Sequence, residues 1–344
     1  MTPAGWFCIP CDSADDLVNQ TPMPRCPLCQ ARGLAPTTRS LALESEEIRS
    51  FRLACSHCGL LLDDAPGADA QAAFEAICAR RPAHLRPEDV IGCDIYTLRT
   101  LATRFGLAAY PADPAQARDL ASPHGQRAGK ADLVALSSLP ATPVSVGIMC
   151  SEREAEGVLD TVARYRAWAD VVVVLVDRAA DMPMRAHVRH EDGISVVSRH
   201  LGGDFAAQRN ALQDLSPSAW MLQLDADEDI SGNLGRDLKR LATLGDQQGI
   251  LSIGLPRMNF VDGVQSDLYP DLQYRLNRRE VRYEGIVHER PARPWQRSFI
   301  ALCGEIRHHL TAEHVARRSK AYEALQPGGG RLFEEDALSR LFSA

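Results

Sequence analysis

The 344 residues are 45% hydrophobic and 24% charged, a balance that excludes a collagen-like or largely disordered chain. Thirty-eight basic against 45 acidic residues give a formal net charge of −7, which argues against a protein that tracks nucleic-acid phosphates. At this length about two to three domains are expected.

The ten cysteines are unusual, because six of them fall within the first 58 residues as the pairs Cys8/Cys11, Cys26/Cys29 and Cys55/Cys58. Met1 to Gln20 lacks a basic stretch followed by an apolar core, so no secretory signal is expected. No run reaches the roughly 18 apolar residues of a membrane-spanning helix. Both observations point to a cytoplasmic protein, where paired cysteines hold metal more often than they form disulfides. Two such pairs make a tetrahedral thiolate site for Zn2+.

Fourteen residues separate Cys11 from Cys26 and twenty-five separate Cys29 from Cys55, and either gap can close a ribbon. Cys26-Pro27-Leu28-Cys29 and Cys55-Ser56-His57-Cys58-Gly59 resemble zinc-ribbon knuckles, with Gly59 suited to the tight turn. Trp6-Phe7-Cys8-Ile9-Pro10-Cys11 resembles a first knuckle as well. The partner of Cys26/Cys29 is therefore either flanking pair. Cys55/Cys58 is favoured, which leaves Cys8/Cys11 over or in a second site completed by His57. A redox pair would call for a thioredoxin-like strand and helix, and no such unit is evident. Cys78, Cys93, Cys150 and Cys303 are isolated and read as buried structural residues.

Residues 1–62 are read as a zinc-ribbon-like module and 63–142 as a helical connector. Ala70 to Arg80 has helical periodicity, with Phe74, Ile77 and Cys78 on one face. Asp94 to Phe105 is a second helix with Ile95, Leu98, Leu101 and Ala102 as its stripe. Residues 107–142, rich in Ala, Pro, Asp and Ser, are expected to be loosely structured around at most one short helix.

From Pro143 strands and helices alternate. Strands are expected at Val144 to Met149, Val171 to Val176, Ser195 to Val197, Trp220 to Leu224 and Gly249 to Leu255. Helices are expected at Glu154 to Trp168, Asp204 to Leu215 and Leu234 to Leu244. The continuous apolar run Val171 to Val176 suits a parallel strand covered on both faces. The alternation predicts a mainly parallel α/β sheet, with ligands beyond the carboxyl ends of its strands.

Asp225-Ala226-Asp227 falls at one of those ends. Two carboxylates there can meet one hard cation, Mg2+ or Mn2+, which often bridges protein carboxylates to substrate phosphates. Alone, the pattern reads first as a solvated turn before a helix capped by Asp229 or Ser231.

The wider pattern resembles family 2 glycosyltransferases of the GT-A fold. The resemblance is carried by Asp204 to Leu212 with Arg209-Asn210, by Trp220 to Glu228, by Pro256 to Phe260, by Tyr269 to Leu276 and by Tyr283 to Glu289. Arg307-His308-His309 and the basic stretch after it resemble the tail of relatives that modify lipopolysaccharide cores or peptides. The resemblance covers about residues 143–325 and implies a GT-A domain over 143–310 with a C-terminal helical tail at 311–344. It implies an inverting, metal-dependent transfer from a nucleotide-diphosphate sugar to an unidentified acceptor, a natural product, peptide or saccharide.

By the resemblance, Asp225 and Asp227 hold Mn2+ or Mg2+ on the donor diphosphate, with Asp225 near the ribose. Asp177 contacts the nucleoside, and Arg209 is a further donor contact. Asn210 is expected to bond locally. Glu289 is the candidate general base, His288 its orienting neighbour, and Asp271 an alternative base. His308 is a candidate metal or phosphate contact, and the segment after Asp271 with Arg275, Arg278 and Arg279 reads alternatively as a solvated edge. Two departures stand out. Cys150-Ser151-Glu152-Arg153-Glu154 replaces the family's Asn-Glu, and Asp177-Arg178-Ala179-Ala180-Asp181 replaces Asp-Ser-Gly-Ser-x-Asp. Both bear on the nucleotide pocket. They favour the alternative of a non-catalytic binding or scaffold protein, with the ribbon docking a protein partner.

Overall fold

The computed structural model describes residues 24–64, 69–122, 124–178, 186–189, 193–285, 288–325 and 332–342. Cys8, Cys11 and Asp181 lie outside them. The described residues form a mixed α/β protein.

The amino-terminal part is built on an antiparallel sheet of short strands, Leu34–Pro36, Leu53–Cys55, Leu61–Leu62 and Ile91–Gly92. Helix α1 (Asp69–Ala79) buries Phe74, Ile77 and Cys78, the face its periodicity predicts. Helix α2 (Ile95–Arg104) is capped by Asp94, whose Oδ1 accepts from the Thr97 amide at 2.7 Å. Its expected stripe understates its burial, because every residue from Ile95 to Thr103 is buried. The reason is position. One side of α2 meets the cysteine module, and the other meets the carboxyl-terminal part. There Arg99 lies 4.6 Å over the Phe299 ring, and the Leu302 amide donates to Thr103 Oγ1 at 2.7 Å.

The stretch 107–142, expected to be loosely structured, holds two paired strands, Leu107–Pro111 and Lys130–Ala135. Ala83–His84 extends them into a three-stranded sheet. A short helix, Pro114–Asp119, lies between, capped by Asp113. Small alanines carry the inward positions of these strands, so their hydrophobic signal is faint. One apolar core runs through the whole amino-terminal part, from Cys26 to Leu133.

The larger sheet begins with β1 (Val144–Ser151), β2 (Val171–Asp177), β3 (Ile194–Arg199) and β4 (Trp220–Asp225). These four are parallel, in the spatial order β3-β2-β1-β4. Val172, Val173, Val174, Leu175 and Val176 of β2 are all buried, each contributing about 2 kcal/mol of transfer free energy. Helix α3 (Phe205–Asp214) packs on this layer. Gly147 of β1 allows its approach, since a Cβ there would meet Leu212 at 2.7 Å.

The predicted helix over Glu154 to Trp168 is α-helical only at Ala155–Thr161 and continues as a 3₁₀ segment, Val162–Ala167. The tighter winding aligns positions i and i+3. Tyr165 and Trp168 use it to pack edge to face at 6.2 Å. Helix α4 (Gly232–Gln247) starts at Ser231, whose Oγ accepts from the Leu234 amide at 3.2 Å. Ser231, of the two candidates, is thus the cap.

The sheet then continues in mixed sense through β5 (Ser252–Val261), β6 (Asp271–Arg278) and β7 (Ile306–Leu310). The order β4-β6-β5-β7 ends on the two-residue strand Glu228–Asp229, which pairs with β7. Glu228 follows Asp225 by only three residues, so the sheet curls back on itself. The inner faces of β4, β5, β6 and β7 therefore converge on the Asp225–Asp229 turn. Among the described residues no helix is long and apolar enough to cross a membrane.

Candidate functional site

Two clusters of chemistry-bearing side chains stand out. The first is made of Cys26, Cys29, Cys55 and Cys58, all buried, with their sulfurs within 4.8 Å of one another. Cys26 Sγ and Cys58 Sγ are 3.7 Å apart, and Cys29 Sγ and Cys55 Sγ are 3.6 Å apart. A disulfide needs about 2.05 Å. A tetrahedron with zinc–sulfur arms of about 2.3 Å has edges of about 3.8 Å. The spacing thus fits a shared zinc ion. Mutual hydrogen bonding among the four draws the Cys55 thiol well below its ordinary value and pushes Cys29 and Cys58 up. The pairing of Cys26/Cys29 with Cys55/Cys58 is the one favoured from sequence. Gly59 closes the second knuckle with φ of 86°.

The second cluster occupies the mouth of the curl. Asp225 ends β4. Its Oδ1 accepts from Arg209 Nη2 at 2.8 Å, and its Oδ2 accepts from Arg275 Nη2 at 2.6 Å. Arg209, on α3, also donates through Nε to Glu289 Oε1. Glu228 is fully buried at its side chain. It accepts from Arg257 Nη1 at 2.8 Å, from Arg275 Nη2 at 3.1 Å and from the Asp225 amide at 3.1 Å. Asp271 accepts from Arg257 Nε at 2.8 Å and from Gln273 Nε2 at 2.6 Å.

Asp227 lies 3.3 Å from His308 Nε2, and its carbonyl accepts from the His309 amide at 2.8 Å. The far nitrogen of that ring, His308 Nδ1, faces Asn259 Oδ1 at 2.7 Å. Three guanidiniums thus meet four carboxylates, Asp225, Glu228, Asp271 and Glu289, and a fifth, Asp227, faces His308. Counting histidine as neutral, the formal charge is −2.

Burial works to raise the Asp225 carboxyl, but Arg209, Arg275 and Arg257 outweigh it and hold it well below the usual carboxylate range. Burial is likewise outweighed at Asp227 by His308 and at Asp271 by Arg257, and both are lowered. A carboxyl lowered in the fold stabilises it at pH values above its unfolded value of about 4 and loses that contribution as pH falls further. Asp271→Asn should therefore lower the thermal midpoint at pH 7, and the gap to the native chain should narrow below about pH 4. Melting curves between pH 7 and pH 3 check this; a gap that widens in acid has the wrong sign.

Asp177 lies apart from the arginine network. Its Oδ1 accepts from the Leu201 amide at 2.8 Å, and His200 Nδ1 is 3.7 Å away. It pairs with Ser151 of β1, whereas Asp225 pairs with Met149. Two strand spacings and a two-residue stagger put the two carboxylate residues about 12 Å apart. His288 has a left-handed backbone, with φ of 53°, immediately before Glu289. Asn210, expected to bond locally, reaches Tyr283 instead. It donates to the Tyr283 carbonyl at 3.0 Å and accepts from the Tyr283 amide at 2.7 Å. That pair ties α3 to the segment leading to Glu289. An open cleft of about 340 Å³ lies over the start of α3, bordered by Asp204, Asn210, Tyr283 and Gly285.

The reading of Arg275 as part of a solvated edge is overturned, since it is 6% exposed. Glu228 and Arg257 were not singled out from sequence, yet they join both halves of the network. The available signal is a period of two. Asp271, Gln273, Arg275 and Asn277 share one face of β6, and Arg257 and Asn259 share one face of β5.

No protein-family model matches the chain, and no curated protein matches it. Among solved structures it is similar to S. aureus TarS, at 12% identity and a TM-score of 0.32, over 53% of this chain and 40% of that one. Against TarS 1–349 in complex with UDP the identity is 14% and the TM-score 0.33, over 54% and 64% of the two chains. Against TarS 1–349 in complex with UDP-GlcNAc the values are 14% and 0.34, over 54% and 65%. The chain thus spans 40% to 65% of the length of these structures.

Proposed function

We propose that this chain is a metal-dependent, inverting glycosyltransferase of the GT-A, family 2-like type, preceded by a zinc-ribbon-like module. The observation that carries the reading is the convergence of Asp225, Asp227, Arg209 and Glu289. They come from three segments to the carboxyl ends of the parallel strands, in a site with two carboxylates in excess. Such an excess suits a divalent cation and the phosphates it accompanies.

Asp227 fits the role of Mn2+ or Mg2+ ligand, since its side chain keeps 28% exposure beside His308. Asp225 has both oxygens on arginines, which suits it to hold the donor side of the pocket in register. A bound cation would offset the charge that develops on the departing nucleoside diphosphate. Asp177, about 12 Å away, is spaced to receive the nucleoside. The acceptor hydroxyl attacks the anomeric carbon opposite the diphosphate. A new carbon–oxygen bond forms, and the bond from that carbon to the phosphate oxygen breaks with its electron pair. Glu289 gives one oxygen to Arg209 and takes the acceptor proton on the other. The open cleft beside Tyr283 suits an acceptor path.

A second reading, donor binding without turnover, is favoured by the arginines that already hold Asp225 and Glu289.

The test is slow hydrolysis of a nucleotide-sugar panel with Mn2+ or Mg2+, in the native chain and in Asp227→Ala. Donor hydrolysis should fall about 100-fold in the variant, the equivalent of about 2.7 kcal/mol. Donor binding without hydrolysis in the native chain would support the second reading. Neither binding nor hydrolysis, with the variant identical, would remove both.

A further inference from the structure

The cysteine cluster and the carboxylate–arginine cluster are joined by one short strap, residues 265–270. Arg25 and Arg32 flank the Cys26/Cys29 knuckle and pair with each other across an isolated bridge. Both guanidiniums converge on Asp267. Arg25 Nη2 lies 2.5 Å from Oδ1, and Arg32 Nε lies 3.0 Å from Oδ2. Arg25 Nη1 also donates to the Gln30 carbonyl inside the knuckle at 2.7 Å and to the Tyr269 carbonyl at 3.4 Å. The carboxyl-terminal end closes over the same point. The Arg25 guanidinium lies 4.0 Å from the Phe342 ring centroid, and the Asp267 amide donates to the Arg340 carbonyl at 2.8 Å.

Two residues beyond Tyr269 the chain enters β6 at Asp271. From there Arg257, Glu228 and Arg275 lead to Asp225. Two adjacent guanidiniums repel each other. Burial and the neighbouring Arg32 push the Arg25 guanidinium below its ordinary value. What holds both in place is the knuckle, a turn closed by the bonds Cys26 N to Ala31 O at 2.8 Å and Gln30 N to Cys26 O at 2.9 Å. A turn closed by only two backbone bonds is tied down further when its thiolates share one metal.

We propose that the four-thiolate metal site acts on the carboxylate–arginine site. With zinc bound, the knuckle sets Arg25 and Arg32 on Asp267 and so fixes the strand that carries Asp271 and Arg275. Loss of the zinc loosens the strap and the start of that strand. Arg25, Arg32 and Asp267 are positioning residues; none of them meets Asp225 or Asp227. The inference deepens the transferase reading and rests on it for the identity of the site, but its primary readout does not.

The test is amide hydrogen exchange of peptides covering 265–278 in the full chain, under reducing conditions. Exchange is compared as purified, after zinc removal by a chelator, and in Asp267→Asn. Both perturbations should speed exchange there about tenfold. Asp267→Asn should keep the native zinc content, while Asp64→Asn, which removes an exposed ion pair of the same module, should change nothing. Manganese-dependent binding of a nucleoside diphosphate should weaken in step with exchange. Unchanged exchange after zinc removal overturns the coupling, as does a zinc-free chain whose 265–278 segment gains no protection on adding zinc. Absence of nucleotide binding in the native chain counts against the transferase reading, and exchange still decides the coupling.

Discussion

Cys55→Ser should strip the chain of its zinc, from about one ion per molecule to none, and unfold the amino-terminal part. The four sulfurs sit at tetrahedral spacing, and Cys55 faces Cys29 at 3.6 Å. Strands of two and three residues cannot hold this module together alone. Metal binding to such sites supplies on the order of 10 kcal/mol, more than a small domain's net stability. The loss should extend beyond the knuckles, because the cysteines share one core with Phe74, Ile77, Leu98 and Leu101 of α1 and α2. Metal analysis with circular dichroism checks it. A Cys55→Ser chain with native helicity and unchanged zinc content would show that the cluster does not hold the metal. Cys78→Ala, in the same core but outside the cluster, should keep the zinc and lose about 1 kcal/mol.

The alternation of strands and helices after Pro143 was legible because each element obeys its own local period. Val171 to Val176, the Asp204 cap of α3 and the Ser231 start of α4 are examples. The curl was not legible. Antiparallel pairing of β6 with β4 and β5, and the return of Glu228–Asp229 to β7, depend on contacts between distant segments. Local pattern does not encode such pairings. Residues 107–142 hid their strands for a different reason: alanine and proline carry little periodic signal.

The site divides in the same way. Asp225, Asp227, Arg209 and Glu289 stand in short motifs, which mark them as candidates. Arg275 and Arg257 also lie in matched segments but drew no role, because a strand with charged residues at every second position reads as a wet edge. In a curled sheet that polar face turns inward, and the charges become the interior of the site. Asn210 shows the converse. It lies in a motif, yet its two hydrogen bonds to Tyr283 serve the fold.

Arg275→Met should cost about 3 kcal/mol of stability and lower the thermal midpoint by about 6 to 12 °C. The stem volume is largely kept, so the cost is electrostatic. Glu228, with no exposed side-chain surface, would retain Arg257 as its one guanidinium partner, and Asp225 would retain Arg209. The formal charge of the site would move from −2 to −3. Arg278→Met, three residues along on the same strand, is the control. Its side chain is 30% exposed, and it should cost less than about 1 kcal/mol. Adding Glu228→Gln to Arg275→Met should recover part of the loss, because the unpaired buried charge is then gone. A double-mutant cycle should show coupling of about 1 to 3 kcal/mol between the two positions. Additive losses would mean that Arg275 contributes by packing alone. Strong coupling would mean that Arg275 acts on Glu228 as a charge, the balance on which the proposed cation site at Asp227 rests.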